Sequence, residues 1–142
     1  MIKINYPAYQ PKIKKTTGKE FIFDVVRKRW VILTPEEWVR QNFLQYLIVI
    51  KNYPAALIAV EKAIELGDVK KRFDIVLYDN NHLPWMIIEC KEMSVALDRK
   101  VLDQVLRYNI PLQVPYLVIT NGSYCYAFEI TDGQMKAIDN LP

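Results

Sequence analysis

The sequence predicts an α/β domain built on a mixed central β-sheet flanked by helices. Short runs rich in β-branched and aromatic residues recur along the chain, two stretches with helix-start signals separate them, and after the first helix the order is strand, strand, strand, helix, strand. Helices on both faces of a mixed sheet satisfy that order. At 142 residues, 51% hydrophobic and 25% charged, the chain is long enough to bury one sizeable core. The expected layout is a single compact domain, with residues 1–33 as an N-terminal extension and β-hairpin and residues 34–142 as the core.

Met1 to Lys19 is rich in proline and lysine and weakly periodic. Glu20–Val26 and Arg29–Leu33 are β-rich runs around Arg27-Lys28 and read as a hairpin. Thr34 then caps a helix, with Pro35 at its first position and Glu37 three residues on, the pattern of a capping box. Val39, Phe43, Tyr46, Leu47 and Ile50 form its apolar stripe. At about 100° per residue Glu36 falls near the centre of that stripe and should face the sheet, while Glu37 turns aside to cap. Arg40, one turn later, is placed to pair with Glu36 or to reach a phosphate.

Tyr53-Pro54 ends the helix, Leu57–Glu61 reads as a strand although Ala59–Leu66 also fits a helix, and Gly67-Asp68 breaks the pattern. Arg72–Asp79 and Trp85–Lys91 follow as two strands of a hairpin around the polar stretch Asn80–Pro84. In the second of these strands Trp85, Ile87, Glu89 and Lys91 share one face, and Met86, Ile88 and Cys90 the other. Both faces are apolar up to Glu89, as expected of a strand covered on both sides. Ser94 or Asp98 opens a second helix carrying Val101, Leu102, Val105 and Leu106, ended by Asn109 and Pro111. Gln104 and Tyr108 share a face of it. Pro115–Thr120 and Tyr124–Ile130 are strands joined at Asn121-Gly122, a hairpin signal. The alternating Tyr124, Tyr126 and Phe128 are read as core rather than as a base-stacking surface.

The acidic hairpin carries the chemistry. Asp74 and Glu89 on neighbouring strands offer hard oxygen ligands of the kind Mg²⁺ takes, with Mn²⁺ able to substitute, and Lys91 beside them can stabilise charge on a phosphoryl-transfer transition state. A Glu-x-Lys pair at a strand end is ordinarily a solvated surface pair. Here the apolar strand context argues that the acids reach a covered region and need a partner.

The strand-borne Asp74, the triplet Glu89-Cys90-Lys91 and the run Gln104-Val105-Leu106-Arg107-Tyr108 resemble the PD-(D/E)XK nuclease signature with its helical Q-x-x-x-Y element. Together with Thr34–Gln41, Lys71–Asp74 and Thr120-Asn121-Gly122, the set resembles the N-terminal nuclease-like domain of type I restriction enzyme R subunits, over Pro35 to Ile130. Phe73 stands where that signature has proline. The resemblance implies a restriction-endonuclease-like sheet and Mg²⁺-dependent hydrolysis of DNA. Asp74 and Glu89 would be the metal ligands and Lys91 the catalytic lysine, with Glu36 and Gln104 assisting. Whether Glu36 or Glu37 serves the site stays open at this level. With no helicase motor following, DNA cleavage in a restriction system would call on a separate motor or specificity subunit.

The charge balance, 19 basic against 16 acidic residues, does not by itself mark a nucleic-acid binder. Its distribution is more informative. Lys12, Lys14, Lys15 and Lys19, then Arg27, Lys28 and Arg29, then Lys70, Lys71 and Arg72 form clusters suited to phosphate contact. With Arg40 and Tyr108, the last cluster makes up the expected DNA-contact set. A catalytically silent nucleic-acid-binding or assembly module with the same fold is the alternative reading. Cys90 and Cys125 lie in apolar runs and read as buried free thiols, and His82 as an exposed loop residue. No apolar run reaches the length of a membrane span and the N-terminus lacks a signal-peptide core, so a cytoplasmic location without membrane contact is expected.

Overall fold

The computed structural model describes residues 1–66, 69–109 and 114–142, with the side chains at positions 66, 69, 108 and 109 left aside. In chain order the elements are β1 (Ile2–Lys3), β2 (Ile13–Thr16), β3 (Lys19–Asp24), β4 (Arg29–Ile32), α1 (Pro35–Gln45), β5 (Ile58–Leu66), β6 (Val69–Tyr78), β7 (Pro84–Cys90), α2 (Arg99–Asn109), β8 (Tyr116–Thr120), β9 (Tyr124–Thr131) and β10 (Gln134–Ile138). A π-helical turn, Tyr46–Ile50, extends α1, and a 3₁₀ turn, Ala55–Leu57, leads into β5. The expected breaks at Gly67-Asp68 and Pro111 lie outside the described residues.

Two sheets result. The large one has the order β1-β9-β8-β7-β6-β5, with β10 also pairing β9. It is mixed: β7 and β8 run parallel and its other pairs are antiparallel. That parallel step is made by the crossover through α2, as parallel neighbours require. The second sheet, β2-β3-β4, is antiparallel throughout. Its β3–β4 pair is the hairpin expected around Arg27-Lys28, but β2 falls in the Pro- and Lys-rich stretch where no strand was expected. β10 was likewise not expected.

The helices take opposite faces of the large sheet. Val39, Phe43, Leu44 and Leu47 of α1 and its extension pack with Ile75, Leu77, Met86, Ile88, Cys90 and Val118. On the other face Val105, Val101, Leu102 and Leu106 of α2 meet Ile119, with Tyr124, Tyr126 and Phe128 packed alongside. Those three aromatics are thus partly buried and pack against the core, in line with the packing role expected of them. Thr34 caps α1, its hydroxyl accepting the Glu37 amide N–H at 3.0 Å, and Pro35 occupies the first turn. Ile50 ends the apolar stripe exposed instead of buried, because the π turn rotates it away from the face set by Phe43 and Leu47. α2 starts behind Asp98, whose carboxylate accepts the Val101 amide at 2.9 Å.

At Gly122, in the β8–β9 turn, φ is +92° and an added Cβ would lie 3.2 Å from a Val39 methyl. Glycine is thus required both by backbone conformation and by the approach of α1. The preceding Thr120 and Asn121 are buried and hold the turn from within. The Thr120 hydroxyl accepts the Gly122 amide at 3.0 Å, and the Asn121 amide group donates to the Val95 carbonyl at 2.9 Å.

Candidate active site

The site lies where the β6–β7 ladder opens. Pairing runs from Leu77↔Met86 through Val76↔Ile87 to Ile75↔Ile88 and stops there. The next residues, Asp74 and Glu89, are past the last rung. The Cys90 amide, freed from β6, donates to Asp74 Oδ2 at 2.8 Å, while β7 keeps its parallel pairing with β8 through Glu89↔Ile119 and Cys90↔Thr120.

A second irregularity positions Asp74. Ile58 and Val60 of β5 and Ile75 and Leu77 of β6 belong to the α1-side core. Further along the hairpin, Ile64 and Phe73 pack into the cluster of Val76, Ile87 and Leu117 on the opposite face. Both strands thus exchange faces at the level of Glu61 and Asp74, where the pairing skips from Val60↔Ile75 to Lys62↔Phe73 and Glu61 takes a left-handed φ of +50°. The crossover lets Glu61 and Asp74 reach toward α1 although regular alternation would turn them away.

On the α1 side this produces a dense charge cluster. Arg40 is 4% exposed and donates to Glu37 at 2.8 Å, Asp74 Oδ1 at 3.0 Å and Glu61 at 3.2 Å. Arg27 binds Asp24 at 2.5 Å and Glu37 at 2.9 Å, with Glu61 at 3.4 Å. Gln41, fully buried, donates to both Asp24 and Glu37. The Glu37 carboxylate is therefore a buried member of this cluster and not the turned-aside cap expected; its amide N–H takes part in the cap, its side chain does not. Arg40 is likewise corrected as a phosphate contact, because its guanidinium is buried and committed to carboxylates. Burial opposes its charge, but Glu37 and Asp74 outweigh that and raise its pKa.

Glu36, expected to face the sheet from the centre of the apolar stripe, is instead the exposed glutamate of the pair, lying near Asp74 and 3.6 Å from Arg40. Asp74 lies near enough to Glu36 and Glu89 for its charge to raise the pKa of both. The Glu89 carboxyl is pushed up to about 7, first by burial and then by the Asp74 charge, with Lys71 opposing from 3.4 Å. Glu36 is raised too, by burial and then Asp74, against Arg40 and Lys91. Two arginines meet five carboxylates (Asp24, Glu36, Glu37, Glu61 and Asp74), so within this cluster acids outnumber cations, and Lys71 is the cation that faces Glu89. Among the described residues no group of three or more His, Cys, Asp or Glu side chains is set to hold a metal. The donor set of Asp74 and Glu89 nonetheless suits Mg²⁺, which keeps several waters and needs few protein ligands.

Beyond Glu89 opens a cleft of about 1170 Å³ lined by Lys71, Lys91, Arg99, Lys100, Asp103, Gln104 and Arg107. Lys91, Glu89 and Gln104 are thereby brought to one cavity. Of the expected DNA contacts, Lys71 sits against Glu89 and 4.8 Å over the Phe73 ring, at the acids and not on the open surface. Lys70 and Arg72 are exposed, and Lys70 makes only a 4.0 Å surface pair with Glu65. The side chain of Tyr108 lies outside the described residues. Cys90 is buried, and burial followed by the Asp74 charge raises its thiol well above the ordinary range.

Sequence reasoning did not find Asp24, Gln41 or Glu61, and it placed Arg27 in a phosphate-contact cluster, whereas its guanidinium is committed to Asp24, Glu37 and Glu61. Their roles rest on contacts between residues far apart in the chain, and no local pattern announces them.

No curated protein matches this sequence. The family model of the type I restriction enzyme R protein N terminus (HSDR_N) matches residues 35–142, from the first residue of α1 onward, and so takes in α1, β5–β10 and every residue of the acid pair and the cleft. With about three quarters of its length matched, this chain belongs to the type I restriction enzyme R protein N-terminal family.

Proposed function

We propose that this domain is a metal-dependent DNA endonuclease of the PD-(D/E)XK type, with a restriction-endonuclease-like fold, acting with other subunits of a restriction-modification system. The observation that carries the reading is the approach of Asp74 and Glu89 at the open end of the β6–β7 ladder, where burial and the Asp74 charge push the Glu89 carboxyl up to about 7, beside a cleft lined by Lys91.

In this reading Asp74 and Glu89 hold Mg²⁺, or Mn²⁺ in its place. When bound, that ion polarises the phosphoryl oxygen and makes its water a stronger nucleophile. The Lys91 ammonium stabilises the extra charge of the phosphoryl-transfer transition state. Glu36, exposed next to Asp74, orients the attacking water. Gln104 and the cleft cations Lys100 and Arg107 hold the DNA backbone, and Lys70 and Arg72 extend that contact. Arg40 and the Cys90 amide fix the Asp74 carboxylate, each using one of its oxygens.

That last feature also favours a second reading. An aspartate bound to a buried arginine is a weaker metal ligand, as in a silent nucleic-acid-binding or assembly module. Nicking of supercoiled plasmid in Mg²⁺ or Mn²⁺, compared between wild type and Asp74→Ala, separates the two. Metal-dependent nicking lost in Asp74→Ala is the expected result; a wild type no more active than Asp74→Ala supports the silent module.

A further inference from the structure

The chain's positive charge is concentrated outside the acid site. Between positions 12 and 32 there are seven basic and two acidic residues, whereas the rest of the chain has twelve basic and fourteen acidic. Setting aside Arg27 and Asp24, which belong to the acid-site cluster, that excess lies on and beside the small β2-β3-β4 sheet. Register places Lys14, Phe21 and Ile32 on one row and Phe23 and Trp30 on the next, so these side chains share a face, and Lys12 joins it through the bond of its carbonyl with the Phe23 amide.

This face is unusually apolar for a solvated one. Ile32 is 56% exposed and Trp30 37%. The lysines lie over the rings: Lys14 Nζ is 4.5 Å from the Trp30 centroid and 6.0 Å from that of Phe21, and Lys12 Nζ is 5.8 Å from Phe23. A groove of about 530 Å³ continues from Phe21, Trp30 and Ile32 past Thr34 to Glu36, Glu37, Glu61 and Arg40, the last of which pairs with Asp74.

We infer that this face of the β2-β3-β4 sheet binds an unstacked, single-stranded stretch of nucleic acid and leads it to the Glu36 end of the site, an inference that rests on the DNA reading above. Aromatic rings flanked by mobile ammonium groups suit bases on their π-faces and phosphates between them. Paired bases inside a duplex expose no such face, so a purely phosphate-binding surface would have no use for Trp30 and Ile32. The lysines need only swing from the rings to the phosphates as bases replace them. The groove gives the strand a continuous path to Glu36.

The test is fluorescence anisotropy with the full chain in EDTA, using a labelled oligothymidylate of about 15 nucleotides and a duplex of equal length, at about 50 and 200 mM salt. The oligothymidylate should bind more tightly than the duplex. Trp30→Ala should weaken oligothymidylate binding roughly tenfold with little change for duplex, and Trp30→Phe should restore most of it. Lys14→Gln, on an exposed side chain that folding does not need, should flatten the salt dependence. Oligothymidylate binding unchanged in both Trp30→Ala and Lys14→Gln overturns the inference while leaving the DNA reading intact. Duplex preferred over oligothymidylate also overturns it. Failure of the wild type to bind either probe, together with absence of plasmid nicking, overturns both.

Discussion

The two sides of the acid pair carry opposite charge balances. On the α1 side two guanidinium groups, Arg27 and Arg40, are enclosed by five carboxylates. On the α2 side the described cleft lining holds five cations, Lys71, Lys91, Arg99, Lys100 and Arg107, against the acids Glu89 and Asp103. In the first set Arg40, Glu37 and Asp24 are buried and consumed within the fold, where removing one partner strands another, while Glu36 and Glu61 reach solvent. The second opens to solvent, where a missing charge is replaced by water. Asp74 and Glu89 stand at the boundary, so under the proposed function a cation and a phosphate would find complementary surroundings on adjoining walls. Charges that build the site and charges that meet a substrate can thus be told apart by burial, and they should respond differently to substitution.

Removing Arg40 should have the largest effect. Arg40→Met leaves Glu37 and Asp74 facing each other without their shared cation, and the loss of stability should be about 3–5 kcal/mol in urea denaturation. The matching change across the boundary, Arg107→Gln, should move stability by no more than about 0.5 kcal/mol. Equal destabilisation by both would erase the distinction between the two walls.

Lys91→Ala sharpens the comparison from the open side. Cleavage of supercoiled plasmid should fall roughly 10²-fold, the scale of a lost electrostatic stabiliser, while the urea midpoint stays near that of the wild type. An activity loss that tracks a loss of stability would move Lys91 to the structural wall.

The boundary itself should be visible in the pH dependence of the metal-free protein. Glu89 titrates near 7 in the fold and near an ordinary glutamate value when unfolded. Between those values the folded state binds more protons, so stability is highest in mild acid and falls as pH rises through about 7. The melting temperature should therefore be higher at pH 6 than at pH 8. Asp74→Asn removes the like charge and should flatten that slope, and a slope unaltered by it would assign the effect to another group. The smallest expected change is at the helix cap: Thr34→Ala should cost about 1 kcal/mol, seen as a shift of the urea midpoint with unchanged slope.

Much of the framework was legible because its signals are local. Thr34-Pro35 starts α1, Asn121-Gly122 turns β8 into β9, and the apolar runs on either side of Asn80–Pro84 form β6 and β7. β2 was not legible, since Ile13–Thr16 is exposed at every position and so lacks the alternation that a half-buried strand shows. The exchange of faces at Glu61 has no signature either: a left-handed φ is advertised by glycine or asparagine, and here a glutamate adopts it. Of the site, Glu89 and Lys91 could be placed on one face from strand periodicity, whereas Asp74 reaches the site only through the exchange of faces, and Glu36, which periodicity put at the centre of the apolar stripe, is half exposed. Glu37 could not, because the capping pattern it completes was also compatible with the buried ion pairs to Arg27 and Arg40 that it forms.

The thiol between Glu89 and Lys91 gives this edge a chemical clock. Cys90 is buried and held protonated, and its backbone N–H is the link between β7 and the Asp74 carboxylate. An alkylating reagent can therefore act on it only during the moments when the strands part. In a Cys125→Ala background, the labelling rate of Cys90 counts those partings directly. A divalent ion that ties Asp74 to Glu89 would slow the clock whether or not any DNA is cut.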